Sequence, residues 1–146
     1  MALGRPSRAG ALARTMSKPV VTACSSQSVS DVVRLMERHR IGAIPITDDA
    51  GILLGIITES DLLRILARNL EHPDPRWIWA ARAGEHLSAN LVTIESNRSY
   101  AEAVQMMAKN RIRRLPVTDP DSDELVGMIT ERDILERLSS FTRSHV

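Results

Sequence analysis

One short phrase occurs twice in the chain, as GIITESDLL and as GMITERDIL, and each copy places a threonine three residues before an aspartate. The pairs are Thr58 with Asp61 and Thr130 with Asp133. This is the spacing of a helix capping box, in which the threonine hydroxyl accepts a hydrogen bond from an amide of the first turn and the acid reaches back to the threonine amide. The same side chains could instead hold a molecule bound at the start of the helix, since a carboxylate accepts several hydrogen bonds. The phrase alone leaves both interpretations open.

Other chemical signatures are incomplete or missing. The acidic loop at Asp119 resembles the first half of a calcium-binding loop, but Glu124 occupies the sixth position, which needs glycine, and Thr130 the twelfth, which needs glutamate. An acidic hairpin turn is the better interpretation. The four histidines show no metal-ligand spacing with one another or with Cys24. Because the sequence also lacks a nucleophile elbow, a P-loop and a dinucleotide-binding glycine motif, we expect neither an enzyme nor a metal protein.

The composition is that of a soluble globular protein. Of 146 residues 43% are hydrophobic and 25% charged, and no apolar run is long enough to cross a membrane. Aromatic residues make up 3% and the net charge is +1, which disfavours a nucleic-acid partner. The single cysteine fits a reducing compartment, and the arginine-rich start lacks the apolar stretch of a secretory signal. We expect a cytoplasmic location, with an organellar transit peptide as the alternative.

The chain is an internal duplication. A shift of 71 residues places Pro45 on Pro116 and aligns the pair Val21-Thr22 with Val92-Thr93. One extra residue in the second acidic loop makes the shift 72, and the two Thr-Glu-x-Asp phrases then coincide. Agreement over a whole unit predicts two tandem structural repeats.

Each repeat shows the same order of elements. A short extended stretch, at 20–23 or at 91–94, leads to an amphipathic helix with Ser28 or Ser99 as its predicted N-cap. Two strands follow, separated by an acidic turn, and the repeated phrase opens a second helix. The sequence therefore predicts the order β-α-β-β-α twice.

Five segments are expected along the chain: a flexible basic tail at 1–14, repeats at 15–70 and 84–140, a linker at 71–83, and a C-terminal tail at 141–146. The linker contains both tryptophans, Trp77 and Trp79. Its stretch WIWAARA predicts a helix that packs against the domain, and an aromatic contact with a partner chain is the alternative.

The two repeats resemble a known family. The runs IPITDDAGILLGIITESDLL and LPVTDPDSDELVGMITERDIL, each in the same order of elements, resemble the cystathionine β-synthase (CBS) domain, and the similarity extends from Thr15 to Leu138. CBS domains occur as tandem pairs called Bateman modules. The resemblance implies an α/β (α+β) fold in which the repeats pack through their sheets with pseudo-two-fold symmetry and leave two clefts. In that family such clefts bind adenosine ligands, namely AMP, ADP, ATP or S-adenosylmethionine.

The resemblance also implies site residues. The ribose would lie on Asp61 in one site and on Asp133 in the other, with Thr58 and Thr130 beside them, because a carboxylate accepts hydrogen bonds from adjacent ribose hydroxyls. The free amides of the helix start favour a phosphate nearby. Residues of the strand starts are the expected walls on the adenine side: Val21, Thr22, Ala43, Ile44, Val92, Thr93, Arg114, Leu115 and Pro116.

Three arginines distinguish the second repeat. Arg113, Arg114 and Arg132 stand where the first repeat has glycine, alanine and serine. A guanidinium binds phosphate in a bidentate manner, so the site of Asp133 is expected to bind a phosphorylated ligand more tightly than the site of Asp61. A solvated or dimer-facing role for these arginines is the alternative.

These observations predict a stand-alone regulatory module that senses adenine nucleotides and signals to an unidentified protein partner. The resemblance also implies a homodimer, because Bateman modules commonly associate in pairs through their helices. An interaction scaffold with vestigial clefts is the alternative function. No cofactor is required by either hypothesis.

Overall fold

A computed structural model of the protein describes residues 12–17, 20–74, 76–88 and 91–144. Most of the predicted basic tail, Lys18, Pro75 and the last two residues lie outside the described part of the chain. The chain divides into two compact units, one within Val21–Leu91 and one that combines Val92–Val146 with the start of the chain. Each unit contains one repeat. We call them the first-repeat unit and the second-repeat unit.

The first-repeat unit contains a three-stranded sheet and its helices. Strand β1 (Ala23–Cys24), helix α1 (Val29–His39), strands β2 (Ala43–Thr47) and β3 (Leu53–Thr58), and helices α2 (Glu59–Arg68) and α3 (Trp77–Ala80) follow in that order. The sheet order is β1-β2-β3, with β1 parallel and β3 antiparallel to the central strand. A single 3-10 turn at Ala83–Glu85 follows α3.

The second-repeat unit has the same topology. It consists of β4 (Ile94–Glu95), α4 (Tyr100–Asn110), β5 (Arg114–Thr118), β6 (Leu125–Thr130) and α5 (Glu131–Ser144), with sheet order β4-β5-β6. The predicted order of elements is therefore confirmed in both repeats. The first strands begin three residues later than predicted, because only the residues opposite the C-terminal half of β2 or β5 pair with the sheet.

Local sequence explains where the first helix of each repeat begins and what it buries. Ser28 and Ser99 accept hydrogen bonds from the amides of Asp31 and Glu102, each at 3.1 Å, as predicted for N-caps. In α1 the side chains of Val29 and Val32 are fully buried. Their helical spacing forms the apolar face that packs on the sheet.

The segment that precedes each repeat in the chain packs in the unit of the other repeat. Residues 12–17 belong to the second-repeat unit, and residues 83–88 belong to the first-repeat unit. Leu12, which the sequence placed in a flexible tail, is fully buried in the core of the second-repeat unit, and Ala83 is fully buried in the core of the first. The Ser17 amide donates to the carbonyl of Met128 (2.8 Å), and the Ser88 amide donates to that of Ile56 (2.9 Å). Residues 12–17 therefore belong with the second repeat rather than with a flexible tail or with the first repeat.

The glycine that opens each repeated phrase makes room for this preceding segment. A Cβ atom on Gly55 would lie 2.8 Å from a methyl of Leu87, and one on Gly127 would overlap the side chain of Met16. Such distances are too short for real Cβ contacts, so a larger residue would force the side chain of Leu87 or of Met16 to move. The recurrence of glycine in the phrase thus has a packing reason.

The linker contributes one short helix. Helix α3 ends at Ala80 because Ala81 is already extended (φ −68°, ψ 127°), so the predicted helix is shorter than the stretch WIWAARA. It packs against α1, while Trp79 remains 55% exposed. Across the described ranges, no helix is both long enough and apolar enough to span a membrane.

Candidate functional site

The candidate residues lie where the last strand of each repeat ends and its last helix begins. In the first-repeat unit Thr58 ends β3, has extended backbone geometry (φ −107°, ψ 168°) and caps α2. The Asp61 amide donates to Thr58 Oγ1 (3.2 Å), and the Thr58 amide donates to Asp61 Oδ2 (2.7 Å). The predicted capping box is confirmed.

The second-repeat unit repeats this geometry at Thr130 and Asp133. The Asp133 amide donates to Thr130 Oγ1 (3.2 Å), and the Thr130 amide donates to Asp133 Oδ2 (2.8 Å). The threonine hydroxyl also donates to the same Oδ2 (3.0 Å). Both phrases are therefore helix caps. The two sites differ in how much of each carboxylate can still accept hydrogen bonds.

The carboxylate of Asp61 is enclosed. The residue is 6% exposed, and Oδ2 accepts from the amide and the hydroxyl of Thr58 and from the hydroxyl of Ser88. The other oxygen, Oδ1, accepts from the guanidinium of Arg64. Oδ2 thus accepts three hydrogen bonds from described residues, and Oδ1 accepts one from a charged donor.

These contacts set the ionisation of Asp61. Burial alone would raise the pKa of the carboxyl, because a low-dielectric environment disfavours its charged form. The hydrogen bonds from Ser88, Thr58 and Arg64 outweigh this effect and hold the pKa of Asp61 below its ordinary value of 3.8. The ionised form is therefore the one that the folded unit stabilises.

Acidification is expected to destabilise the first-repeat unit through Asp61. Because its pKa is lowered on folding, its contribution is complete above the unfolded value of 3.8 and is lost as the pH falls through the folded value. The free energy of unfolding should therefore decrease as the pH falls below about 4. Urea unfolding of the wild type and of Asp61→Asn at a series of pH values, followed by tryptophan fluorescence, measures this free energy. An equal dependence of the unfolding free energy on pH in the two proteins would contradict the expectation.

The carboxylate of Asp133 is more accessible. The residue is half-buried, and the hydroxyl of Ser17 is shared between its two oxygens at 3.2 Å and 3.3 Å. Among the described residues, this long shared hydrogen bond is the one that reaches Oδ1. The position that corresponds to Arg64 is occupied by Glu136.

Two of the three predicted arginines lie at the strand–helix junction that contains Asp133. Arg114 lies directly opposite Thr130 in the β5–β6 ladder, and its guanidinium forms no ion pair with any other residue that the structure describes. The Arg113 carbonyl accepts from the first amide of α5 (2.9 Å), and its side chain is exposed. Arg132 is exposed and pairs with Glu136 (3.4 Å). The structure thus gathers Arg114, Thr130 and Asp133 at one strand–helix junction.

The candidates for the adenine side divide into two groups. Ala43, Ile44, Leu115 and Pro116 are buried in the central strand of their own sheet, where they form part of the core. The others lie at the strand starts with some surface: Val21, Val92 and Thr93 are half-buried, and Thr22 is exposed. Thr93 also lines a cavity of about 450 Å³ between β4 and α4, whose other walls include Glu95, Arg98 and Glu102. Ligand contact by these residues stays a prediction.

Sequence reasoning missed four residues that surround the aspartates: Ser17, Ser88, Arg64 and Glu136. A signal was available, because the shift of 71 residues that aligns the repeats also places Ser17 on Ser88, and the shift of 72 places Arg64 on Glu136. A serine repeated outside the expected boundaries indicates that the repeat is longer. An arginine replaced by glutamate indicates that the two sites differ in charge.

Comparisons with known proteins agree with this architecture. A family model described as CBS domain matches residues 9–68 and 83–140. The CBS domain-containing protein YhcV of Bacillus subtilis is 34% identical over 121 residues, which are 82% of this chain and 79% of that protein.

Two solved structures are similar over most of their length. The CBS domain pair of protein MJ0100, in complex with 5′-methylthioadenosine and S-adenosyl-L-methionine, is 29% identical with a TM-score of 0.72, covering 87% of this chain and 94% of that one. Hypoxic response protein I with two coordinated zinc ions is 31% identical with a TM-score of 0.71, covering 84% and 94%. Within the described ranges of the present chain, no three histidine, cysteine, aspartate or glutamate side chains come together as a metal site.

Proposed function

The chain belongs to the CBS domain family, and from this premise we propose that it is a regulatory module that binds an adenosine ligand at Asp133 and signals to a partner protein. AMP, ADP and ATP are the leading candidates, and S-adenosylmethionine is a further one. One observation carries the proposal: a half-buried carboxylate at a helix start keeps an oxygen with only a long, shared hydrogen bond.

The chemistry of this oxygen suits a ribose. Oδ1 of Asp133 has two lone pairs, which can accept from the two adjacent ribose hydroxyls once the Ser17 hydroxyl yields its share. The binding of adenosine compounds by the CBS pair of MJ0100 supports this class of ligand.

Arg114 would bind a phosphate of the same ligand. Its place opposite Thr130 puts this arginine at the junction where α5 begins, and the positive end of the helix dipole there favours an anion. The first repeat has Ala43 at this position, so a charged ligand is expected to prefer the second repeat. Arg113 and Arg132 are the secondary candidates for phosphate contact.

Association of two chains is part of the proposal. Helix α2 exposes Leu63 and Leu66, the turn after it exposes Leu70, and helix α5 exposes Leu135 and Leu138. Apolar residues at helical spacing on a surface favour burial against another protein. The family resemblance implies that a second copy of this chain covers these apolar faces and forms a homodimer. The same faces would serve the alternative function, an interaction scaffold that binds no ligand.

Calorimetric titration of the purified protein with AMP, ADP, ATP and S-adenosylmethionine separates the two functions. The regulatory proposal expects saturable binding of at least one of the four ligands, with the phosphorylated ones favoured by Arg114. Titration with inosine monophosphate tests whether the adenine ring is recognised. Absence of binding heat for all four ligands at millimolar concentration would leave only the scaffold.

A further inference from the structure

The two aspartates differ in one neighbour that the repeats do not share. In the first repeat the third residue after the aspartate is Arg64, whose guanidinium bonds to Oδ1 of Asp61. In the second repeat the corresponding residue is Glu136, which pairs with Arg132 and leaves Asp133 without a guanidinium among the described residues. A positive group thus contacts one carboxylate and a negative group occupies the same position near the other.

This difference decides how many acceptor positions remain. A carboxylate offers about four lone-pair positions. Asp61 receives four donors from described residues, three on Oδ2 and the guanidinium on Oδ1. Asp133 receives three from the part of the chain that the structure describes, and only the shared Ser17 hydroxyl reaches its Oδ1. Asp133 therefore receives fewer hydrogen bonds than Asp61 and can accept more from a ligand.

We propose that the residue three positions after the aspartate, Arg64 in the first repeat and Glu136 in the second, determines which repeat binds the ribose of an adenosine ligand. This inference rests on the proposed function and goes beyond it, because it assigns ligand choice to a pair outside the phosphate-binding arginines. The guanidinium of Arg64 occupies the place beside Oδ1 of Asp61 that the ribose hydroxyls would otherwise take. Glu136 leaves the corresponding place beside Asp133 open.

Burial supports an occupant role for Arg64. Its side chain is 62% exposed while that of Asp61 is buried, so the guanidinium lies between the carboxylate and solvent. A ribose approaching Asp61 from solvent would have to replace a hydrogen bond between two opposite charges with hydrogen bonds from neutral hydroxyls to the same carboxylate. A ribose approaching Asp133 replaces only a long bond from a neutral hydroxyl.

The test uses the full chain and AMP in calorimetric titrations. Asp133→Ala serves as the background without a second-repeat site, and Arg64→Gln is added to it. We expect the double variant to bind AMP at least about tenfold more tightly than Asp133→Ala alone, because the freed Oδ1 can accept from the ribose hydroxyls. Arg68→Gln in the same background is the matched control, since it removes an equal charge one turn along α2.

The reverse change is made in the second repeat. Glu136→Arg should weaken AMP binding by about tenfold, since it places a guanidinium three residues after Asp133, whereas Glu136→Gln should leave the affinity within about twofold. Circular dichroism of each variant establishes that it is folded. AMP binding that tightens in Arg64→Gln and weakens in Glu136→Arg supports the inference.

Two other outcomes are distinguishable. If the wild type binds AMP through Asp133 but Arg64→Gln gains nothing, or binds more weakly because Arg64 contacts the phosphate, the inference is overturned and the proposed function stands. If neither the wild type nor any variant binds an adenosine ligand, the proposed function fails and the inference fails with it.

Discussion

Replacement of Asp133 by alanine is expected to weaken AMP binding by at least about 100-fold. The change removes the carboxylate that would accept from both ribose hydroxyls, and hydrogen bonds to a charged group each contribute about 1.5–3 kcal/mol. Two such bonds at the lower end amount to about 3 kcal/mol, which is about two powers of ten in the dissociation constant. Calorimetric titration of the variant and the wild type measures the difference.

The same substitution also removes half of a capping box, so stability has to be separated from binding. Loss of the cap should cost about 0.5–2 kcal/mol of unfolding free energy, which leaves most molecules folded at the temperature of the titration. Glu124→Ala, in the exposed acidic turn, is the control for an equal change of charge. An affinity for AMP that stays within threefold of the wild type in Asp133→Ala would show that this carboxylate does not hold the ligand.

Replacement of Asp61 by alanine is expected to have its main effect on folding. The variant leaves the Thr58 amide, the Ser88 hydroxyl and the Arg64 guanidinium without their common acceptor. The exposed guanidinium regains water, so its loss contributes little, but the enclosed donors and the lost cap should cost about 2–3 kcal/mol. Urea unfolding of the first-repeat unit is the measurement.

The chain provides a selective probe for that experiment. Trp77 and Trp79 both lie in the first-repeat unit, so tryptophan fluorescence follows the unfolding of this unit. Asp133→Ala is the matched comparison, because it removes the corresponding carboxylate from the other unit and should leave the fluorescence transition nearly unchanged. A decrease in unfolding free energy of less than about 0.5 kcal/mol in Asp61→Ala would mean that the hydrogen bonds around this carboxylate have no net effect on stability.

Much of the fold was predictable because its determinants are local. The capping boxes depend on residues three positions apart, the amphipathic helices on a period near four, and the strand pairs on short turns. The duplication then doubled the signal for each element. For the same reason Thr58, Asp61, Thr130 and Asp133 were placed correctly at the two helix starts.

What the sequence did not predict depends on contacts between distant residues. The Ser17 hydroxyl and the Asp133 carboxylate are 116 positions apart, and nothing local to Ser17 indicates that its segment packs with the second repeat. Leu12 was assigned to a tail for the same reason, since a single apolar residue in an arginine-rich stretch carries no periodic signal.

The inequality of the two sites was predicted from arginines near the phosphate, whereas the structure adds a difference at the carboxylate itself. No role was assigned to Arg64 from the sequence. Arg64 and Asp61 are three positions apart on one helix, a spacing at which opposite charges pair, so this contact was open to prediction. The contact of Ser88 with the same carboxylate was not, because Ser88 comes from beyond the linker. Under the proposed function, both differences would favour ligand binding at the second repeat.

The most direct test of the central claim is a crystal structure of the protein grown with AMP. The proposal predicts electron density for the nucleotide with its ribose hydroxyls on Asp133 Oδ1 and its phosphate near Arg114. Crystals that grow at saturating AMP and show no nucleotide at Asp133, or show it on Asp61 instead, would contradict the claim.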